Sequence, residues 1–327
     1  MSPDAPLLEI RDLVKHYHAR ALLGRGGPPI KAVDGVSLTI ARGETVGLVG
    51  ESGCGKTTVG RTVIRLQEPT SGQALLEGVD IFTLGPPALR AMRRQVQMIF
   101  QDPYGSLNPR MRVGDAIAEG MVIHGLGNRS EQRTRVETLL QEVGLDPGYA
   151  TRYPHEFSGG QRQRIGIARA LAVEPRIIIC DEPVSSLDVS VQAQVVNLLG
   201  DLQRARGLSY LFIAHDLAVV RQVADRIAVM YLGRIVETGA AEEVLARPRH
   251  PYTVALRSAV PEVATEATPG RIVLGGDPPS PAAPPPGCAF HTRCFHRLRD
   301  TRCQVERPGL RQVGPVQVAC HYAEAAP

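Results

Sequence analysis

The fold is decided by the stretch Gly50-Glu51-Ser52-Gly53-Cys54-Gly55-Lys56-Thr57, which fits the phosphate-loop pattern G-x-x-x-x-G-K-[ST]. A short, β-rich apolar run at residues 45–49 precedes it, and residues 58–66 after it have the composition of a helix. A strand that leads through glycines into a helix N-terminus directs several backbone N–H groups, and the positive end of the helix dipole, at one place. The stretch therefore predicts a binding site for a nucleoside triphosphate, in preference to a glycine-rich turn with an incidental lysine.

Residues of the loop have the chemical types that a bound triphosphate requires. Lys56 would reach the β- and γ-phosphates, and the hydroxyl of Thr57 would complete the shell of a Mg²⁺ ion. Tyr17 is the only large aromatic residue before the loop, and it could stack on a purine ring or simply pack within a strand. Cys54, like Cys180, is most simply a small packing residue inside this region. The predicted nucleotide contacts from this part of the chain are Tyr17, Gly50, Ser52, Gly53, Cys54, Gly55, Lys56, Thr57 and Thr58.

Length, composition and charge exclude several classes of protein. The 327 residues predict two domains, or one large domain with an appendage, and a hydrophobic fraction of 43% is enough for a sizeable core. No run approaches the roughly 18 consecutive apolar residues of a membrane span. Residues 1–6 lack the basic and apolar regions of an export signal, which predicts a cytosolic protein. A net charge of +4 forms no concentrated patch, so nucleic acid is not an expected partner.

Predicted strands and helices follow one another along the chain. Residues 7–17 are predicted to form an edge strand, and residues 30–48 two further strands broken by turns. The character becomes helical at about 103–157, with one helix in 111–124. A second helix begins at Ser130, and its apolar residues have the i, i+3, i+4, i+7 spacing of one buried face. These residues are Val136, Leu139, Leu140 and Val143.

An apolar strand that ends in two carboxylates resumes the core. Residues 177–180 are apolar without interruption and lead directly into Asp181 and Glu182. A strand of this kind is typical of a buried parallel sheet, and its carboxyl end faces the ligand. Asp181 would hold water molecules around Mg²⁺, and Glu182 would polarise the attacking water. The alternative is a pair of solvated carboxylates at a strand end.

A histidine follows the next predicted strand. A helix is predicted from Ser186 to Gln203, ending at Gly207, and the apolar strand 211–214 then delivers His215 to the same edge of the sheet. A lone histidine is usually structural. At the tip of a core strand in a triphosphatase, His215 is the better candidate for sensing the γ-phosphate.

Two further stretches make the set of motifs specific. Residues 157–164 (Phe-Ser-Gly-Gly-Gln-Arg-Gln-Arg) place a serine and two glycines at a predicted helix start, and residues 98–103 place Gln101 at the end of a strand. Together with the motifs above, they resemble the ATPase subunits of ABC transporters over nearly the whole chain. The resemblance implies an α/β fold. In it, a RecA-like P-loop nucleotide-binding core carries an antiparallel β subdomain, a helical insertion subdomain and a small Cys/Pro-rich C-terminal appendage.

The resemblance also implies a division of the chain and a role for each matching residue. Residues 1–255 would form the ABC ATPase domain, with the helical insertion at about 103–157, and residues 256–327 an extension of the oligopeptide-transporter type. Residues 185–188 would pass between the two ATP sites of a head-to-tail dimer. The implied catalytic residues are Lys56, Gln101, Glu182 (general base) and His215 (switch). The implied Mg²⁺ ligands are Thr57, Gln101 and Asp181, and Ser158, Gly160 and Gln161 would contact the γ-phosphate bound by the partner subunit.

A closer resemblance is to the ATPase subunits of oligopeptide and dipeptide importers. It rests on residues 101–111, 153–157 and 250–253, on a proline-rich linker at 278–286, and on residues 287–294. The function it implies is ATP hydrolysis that powers transport through two separate membrane permease subunits, supplied by an extracellular solute-binding protein. The chain would be bound peripherally at the cytoplasmic face of the cell inner membrane.

The same resemblance implies a second ATPase subunit as partner and leaves alternative functions open. With Gln161 in its Ser-Gly-Gly-Gln motif, the chain resembles the type of subunit that pairs with a second, non-identical ABC ATPase. A heterodimer is therefore expected. An importer of nickel, glutathione or another small solute is the alternative function. A soluble ABC ATPase that acts on nucleic acid or ribosomes is disfavoured by the single cassette and the short insertion. The transported solute is not encoded here, because the binding protein and the membrane subunits would recognise it.

Four cysteines lie in a C-terminal segment that has too few apolar residues for a good core: Cys288, Cys294, Cys303 and Cys320. Small elements of this kind often need a metal to hold them together. The resemblance to importer subunits that carry an iron–sulfur cluster in this tail makes ligation of a [4Fe-4S] cluster the first hypothesis. Zinc is the second hypothesis, and free thiols are the third.

Overall fold

The structure, a computed structural model, describes residues 5–18, 27–260 and 272–325. Contacts group the chain into a first unit (Met1–Ile40, Thr45–Phe82 and Ala214–Pro327) and a second unit (Ala41–Glu44 and Thr83–Ile213). The described residues contain the strands β1 (Leu8–Tyr17), β2 (Ile30–Ile40), β3 (Thr45–Val49), β4 (Ser71–Leu76), β5 (Val79–Asp80), β6 (Val96–Ile99), β7 (Ile177–Asp181), β8 (Ser209–Ala214), β9 (Arg226–Tyr231), β10 (Arg234–Ala240), β11 (Arg311–Val313) and β12 (Val316–Val318). Their helices are α1 (Lys56–Val63), α2 (Pro86–Gln95), α3 (Val113–Ile123), α4 (Arg129–Glu142), α5 (Gly159–Leu171), α6 (Val189–Arg206), α7 (Leu217–Val220), α8 (Ala241–Ala246), α9 (Pro251–Ser258) and α10 (Arg302–Val305).

The first unit contains an antiparallel sheet in the order β2-β1-β4-β5. Strand β1 pairs with β2 along one side and with β4 along the other, so the prediction that residues 7–17 form an edge strand is wrong. The second partner, β4, comes only after the phosphate loop, and a pairing at this distance leaves no mark on the local pattern of β1. The side chains of Leu8, Ile10 and Leu13 in β1 are buried.

A second sheet of the first unit carries the phosphate loop. Its strands follow the order β11-β12-β10-β9-β3, in which β3 and β9 are parallel and the other neighbours are antiparallel. All five residues of β3 are buried, which confirms the predicted strand before the loop. Strands β11 and β12 come from the C-terminal segment, and β12 pairs with β10 through residues 317–318.

The second unit contains a parallel sheet in the order β8-β7-β6. Every residue of β7 and β8 is buried, as expected for strands covered on both faces. This confirms the predicted buried strand that ends in two carboxylates. Because β6 and β7 are parallel neighbours, the residues that follow them leave the same edge of the sheet.

The predicted helical region between residues 103 and 157 contains α3 and α4. Helix α3 lies within the predicted range 111–124. Helix α4 starts where Asn128 caps it: the Asn128 side chain accepts hydrogen bonds from the amides of Ser130 and Glu131, and the Glu131 carboxylate accepts one from the Asn128 amide. The four residues predicted to face inward are at most 3% exposed, which confirms the predicted face: Val136, Leu139, Leu140 and Val143.

Helix α6 begins three residues later than the predicted start at Ser186. The reason is Asp188, which is the N-cap and accepts a hydrogen bond from the amide of Val191 at 3.0 Å. The helix ends, as predicted, at Gly207, which has a positive φ of 63°. None of the helices within the described residues is long and apolar enough to cross a membrane.

The predicted boundary between residues 255 and 256 falls within α9. Residues 261–271, which follow it, lie outside the described residues. The division into an ATPase domain at 1–255 and an extension at 256–327 stays a prediction.

Candidate active site

The phosphate loop connects β3 to α1 in the first unit. Within it, Gly55 has a positive φ of 109°, a conformation that is unfavourable for residues with a Cβ atom. A Cβ atom on Gly55 would lie 2.0 Å from the carbonyl oxygen of Ala32, and one on Gly50 would lie 2.2 Å from that of Met230. Both glycines of the motif are therefore required by the close packing of the loop against neighbouring backbone.

The side chain of Lys56 bends back over the phosphate loop. It is buried, and its Nζ donates hydrogen bonds to the carbonyl oxygens of Gly50 at 2.7 Å and Glu51 at 3.0 Å. Helix α1 starts at this lysine with Gly55 as its N-cap, and no side chain caps the helix. The loop thus combines a buried cation with a helix N-terminus, and both features favour binding of a phosphate group.

Cys54 lies inside the same loop and is 6% exposed. Burial raises the pKa of its thiol, so the thiol stays neutral near pH 7. A Cβ atom on Gly50 would lie 2.8 Å from the Cys54 sulfur. This close contact agrees with a packing role for Cys54, and its predicted contact with a nucleotide stays a prediction.

The two predicted carboxylates end β7 in the second unit. Asp181 is fully buried, and Glu182 directly after it is partly exposed, with a positive φ of 47°. Residues other than glycine rarely adopt this conformation, which costs about 1–3 kcal/mol and is concentrated at functional sites. The Glu182 amide donates to the carbonyl oxygen of Ile213 at 2.9 Å. The turn that presents the Glu182 side chain is therefore fixed to β8.

Gln101 and Glu182 are in direct contact. The Gln101 Nε2 atom donates to Glu182 Oε2 at 3.0 Å. The sequence predicts these two residues from separate strand ends, and the parallel pairing of β6 with β7 brings them together. The contact uses the amide nitrogen of Gln101 and not its amide oxygen, which is the atom that a cation would bind.

The serine–glycine motif begins α5, as predicted. Ser158 is the N-cap: its hydroxyl accepts from the Gln161 amide at 3.4 Å, and Gln161 Oε1 accepts from the Ser158 amide at 3.0 Å. A Cβ atom on Gly160 would lie 2.4 Å from Cγ1 of Val191 in α6. Glycine at this position therefore also lets α5 approach α6. The predicted contact of Ser158, Gly160 and Gln161 with a nucleotide stays a prediction.

Tyr17 and His215 both lie at strand ends. The Tyr17 hydroxyl donates to Gln67 Oε1, and the Lys15 ammonium lies 4.9 Å from the centroid of the Tyr17 ring. His215 directly follows β8, and the neighbouring Asp216 caps α7 by accepting from the Ala218 amide at 2.7 Å. Purine stacking by Tyr17 and γ-phosphate sensing by His215 stay predictions.

Sequence reasoning missed two residues whose side chains form hydrogen bonds with Glu51 of the phosphate loop. Tyr252 accepts a hydrogen bond from the Glu51 amide, and Arg293 donates two to the Glu51 carboxylate. Both residues also belong to the first unit. No local signal could have identified them, because they lie 201 and 242 positions from Glu51 in the sequence.

The four cysteines of the C-terminal segment line one small cavity, together with His250, His291, His296 and His321 among others. Burial raises the pKa of the Cys288 thiol to about 12 and that of Cys320 to about 11. In the described part of the chain, no three His, Cys, Asp or Glu side chains are arranged to hold a metal ion. Four sulfur donors around one cavity are, however, the donor set of an iron–sulfur cluster, which separates its ligands more widely than a single ion does.

Comparison with known families and solved structures identifies the class of protein. Residues 33–185 match the family described as ABC transporter. CbiO1 from Clostridium perfringens, part of the ABC transporter complex CbiONQ, superposes with a TM-score of 0.64 at 27% identity, covering 74% of this chain and 92% of that one. The ATP-binding cassette MJ0796, in a dimeric post-hydrolysis state bound to ADP and Pi, superposes with a TM-score of 0.63 at 28% identity, covering 72% and 98%. Fold and motifs thus define an ABC-type ATPase.

Curated relatives refine this class. Residues 236–303 match the family described as oligopeptide/dipeptide transporter, C-terminal region. A putative peptide import ATP-binding protein of Brucella ovis is 54% identical over 312 residues, covering 95% of this chain and 96% of its own. The oligopeptide transport ATP-binding protein AppF of Bacillus subtilis is 52% identical over 320 residues, covering 96% and 97%. The di/tripeptide transport ATP-binding protein DppF of Pseudomonas aeruginosa is 47% identical over 318 residues, covering 97% and 98%.

The chain belongs to the oligopeptide/dipeptide branch of the ABC transporter ATP-binding proteins. The predicted family, the P-loop α/β fold and the class of activity, ATP hydrolysis, are confirmed.

Proposed function

We propose that this chain is the ATP-hydrolysing subunit of an ABC importer for oligopeptides or dipeptides. The observation that carries the proposal is 54% identity over 95% of the chain with the Brucella ovis protein named as a putative peptide import ATP-binding protein. The chain has the complete phosphate loop, the carboxylates Asp181 and Glu182 at the end of β7, and the serine–glycine start of α5. A complete set of reactive residues is expected of a subunit that hydrolyses ATP and does not only bind it.

In the proposed reaction, each residue has a role that its environment supports. The backbone N–H groups of the loop and the ammonium of Lys56 bind the phosphates, because both attract anionic phosphate oxygens. Thr57, Asp181 and Gln101 offer the oxygen atoms that Mg²⁺ prefers, and the ion would neutralise charge on the phosphates. Glu182 accepts a proton from the water that attacks the γ-phosphorus, so that ADP leaves and phosphate is formed. The Gln101 contact at 3.0 Å holds the Glu182 carboxylate in place.

The remaining site residues are proposed to act in an assembly. Ser158, Gly160 and Gln161 begin a helix and are proposed to contact the nucleotide held by a second ATPase subunit, which we take to be non-identical. Two membrane permease subunits and an extracellular solute-binding protein would complete the transporter. The chain would lie at the cytoplasmic face of the cell inner membrane. His215 would report on the γ-phosphate, and Tyr17 would stack on the base.

Closure around ATP is proposed to reach the permeases through the segment that follows Gln101. In the second unit, the guanidinium of Arg162 lies 3.8 Å from the ring centroid of Tyr104, and its Nε donates to the carbonyl oxygen of Pro154 at 2.7 Å. Arg162 belongs to α5, which begins with the serine–glycine motif. A cation–π contact of this kind couples α5 to the segment after Gln101, while Tyr104 is 63% exposed to solvent.

Reconstitution tests this function. The chain, its second ATPase and the two permeases are placed in proteoliposomes with the solute-binding protein. We expect a mixture of di- to pentapeptides to raise ATP hydrolysis several-fold and a labelled peptide to accumulate inside. Nickel and glutathione serve as the competing solutes. Stimulation by one of these, and not by peptides, would contradict the peptide assignment but not the ATPase assignment.

We further propose that Cys288, Cys294, Cys303 and Cys320 bind a [4Fe-4S] cluster. Their common cavity supports this proposal, since four thiolates are the usual ligands of such a cluster. Protein purified without oxygen is expected to be brown and to contain about four iron and four sulfide per chain. The Cys294→Ser variant should lose most of this iron. The Cys180→Ala variant, which removes a buried thiol of β7 instead, should retain it. Colourless protein with stoichiometric zinc would overturn the cluster.

A further inference from the structure

Glu51, the second residue of the phosphate loop, is held from two directions by the C-terminal third of the chain. Its amide donates a hydrogen bond to the hydroxyl oxygen of Tyr252 at 2.7 Å. Its carboxylate accepts two hydrogen bonds from the guanidinium of Arg293, at 2.7 and 3.0 Å, one on each oxygen. Backbone and side chain of Glu51 are therefore both fixed by residues outside the nucleotide-binding motifs.

The ion pair between Glu51 and Arg293 is more enclosed than a surface salt bridge. The Arg293 side chain is 6% exposed and the Glu51 side chain 29%. A bidentate pair between guanidinium and carboxylate has charge-assisted hydrogen bonds in two parallel directions, which fixes orientation as well as distance. This pair therefore restricts the Glu51 side chain more than the exposed ion pairs elsewhere in the chain restrict theirs.

A buried aromatic cluster supports both contacts. Tyr231, Tyr252 and Phe290 are each at most 1% exposed, and their ring centroids lie 4.7 to 5.5 Å apart. Tyr231 is the last residue of β9, and β9 pairs with β3, the strand that precedes the phosphate loop. The amide of Arg293 donates to the carbonyl oxygen of Phe290 at 3.0 Å. The backbone of Arg293 is thus hydrogen-bonded to a residue of the aromatic cluster, which fixes the position from which the Arg293 side chain extends.

Lys56 connects these contacts to the phosphate-binding group of the loop. Its Nζ donates to the carbonyl oxygen of Glu51 at 3.0 Å, while Tyr252 holds the amide of the same residue. A displacement of Glu51 would therefore move an acceptor of the Lys56 ammonium. At a second point of the loop, the carbonyl oxygen of Cys54 accepts a hydrogen bond from the Gly233 amide at 2.9 Å.

The negative charge of the Glu51 carboxylate opposes the binding of an anionic ligand to the loop. A carboxylate in a loop that binds a triphosphate repels it, and the repulsion is strong where protein lowers the effective dielectric constant. Arg293 supplies the compensating positive charge. Without Arg293, the loop would present an uncompensated carboxylate beside the phosphates.

We infer that Arg293 and Tyr252 are positioning residues for ATP: both fix the phosphate loop at Glu51, Arg293 neutralises the Glu51 carboxylate, and the C-terminal third of the chain thereby sets the nucleotide affinity of the loop. The inference rests on the proposed function only in that the loop is taken to bind ATP. The contacts that carry it are hydrogen bonds of Tyr252 and Arg293 and include none of the four cysteines proposed to bind a cluster.

The C-terminal segment is bound to the rest of the first unit by other contacts, so that one substitution does not detach it. Strand β12 pairs with β10. The Lys31 amide donates to the carbonyl oxygen of Pro281 at 3.0 Å, and the Ala319 amide to that of Val236 at 2.8 Å. The Arg293→Gln variant therefore tests the contact with Glu51 and not the presence of the segment.

The test is the affinity for Mg·ATP of full-length variants. We expect Arg293→Gln to bind about 10-fold more weakly than wild type. The double variant with Glu51→Gln should recover most of this loss, because the uncompensated carboxylate is gone. Arg302→Gln is the matched control: it removes an exposed bidentate pair with Glu306 in the same segment and should change the affinity less than about twofold.

Further readouts separate positioning from general destabilisation. The loss in Arg293→Gln should shrink as ionic strength rises, since salt screens the repulsion. In the assembled complex, KM for ATP should rise while kcat at saturating ATP stays within about twofold. Tyr252→Phe, which keeps the ring and removes the acceptor of the Glu51 amide, should weaken binding about threefold. It provides a second test if Arg293→Gln folds poorly.

The outcomes distinguish this inference from the proposed function. Wild-type protein that does not bind Mg·ATP would overturn the proposed function itself. Wild-type binding with equal affinity in Arg293→Gln and Tyr252→Phe would overturn the inference alone. A loss in Arg293→Gln that Glu51→Gln does not reduce, and that salt does not change, would exclude the role of charge compensation.

Discussion

Replacing Glu182 by glutamine is expected to slow ATP turnover by the assembled transporter by about 10²–10⁴-fold, the usual contribution of a general base. Glutamine has nearly the size of glutamate, and it can still accept the hydrogen bond that Gln101 Nε2 donates at 3.0 Å. It cannot take a proton from the attacking water. Because the phosphate loop is unchanged, Mg·ATP should remain bound, and the variant should accumulate in the ATP-bound state.

Phosphate release and nucleotide titration, measured on the same preparation, check this expectation. Glu137→Gln is the matched control, since Glu137 pairs with Arg133 on the exposed face of α4 and is remote in sequence from the reactive residues. Its turnover should equal that of the wild type. Turnover by Glu182→Gln within threefold of wild type would mean that another group accepts the proton.

Replacing Lys56 by alanine is expected to weaken the binding of Mg·ATP by about 10- to 100-fold, because hydrogen bonds with a charged partner contribute about 1.5–3 kcal/mol. The ammonium is buried in the loop, where it now donates to the carbonyl oxygens of Gly50 and Glu51. Phosphate oxygens are stronger acceptors for this cation than neutral carbonyl groups. Alanine leaves the loop without its only side-chain cation.

Isothermal titration of the full-length variant with Mg·ATP measures the loss. Lys31→Gln removes a lysine charge from β2 outside the loop and should bind as the wild type does. A Lys56→Ala variant with wild-type affinity would show that the backbone amides alone bind the phosphates.

Local patterns predicted the strand and helices that carry several of the candidate site residues. The apolar run before Asp181 specifies a buried strand by itself, and the spacing of Val136, Leu139 and Leu140 specifies one face of a helix. The serine and glycines of residues 158–160 predict a helix start, and Ser158 is the N-cap of α5. In each case, the physical cause lies within a few residues of the feature it determines.

Features that depend on distant partners were not predicted. Strand β1 is internal because β4 pairs with it, and the bond from Arg293 to Glu51 spans 242 positions. In neither case does the local sequence around one partner identify the other partner. The contact between Gln101 and Glu182 was predicted only in part. Each residue was predicted from its own strand end, but their direct contact depends on the parallel pairing of β6 with β7.

The pairing of β12 with β10 has a consequence for the order in which the chain folds during synthesis. Residues 237–238 emerge from the ribosome about eighty positions before residues 317–318, with which they pair. In that interval, one edge of β10 has unsatisfied amide and carbonyl groups and is a template for strands of other chains. Until the hairpin formed by β11 and β12 pairs with it, a newly made chain therefore carries an open strand edge at β10, and the pairing of β12 closes that edge.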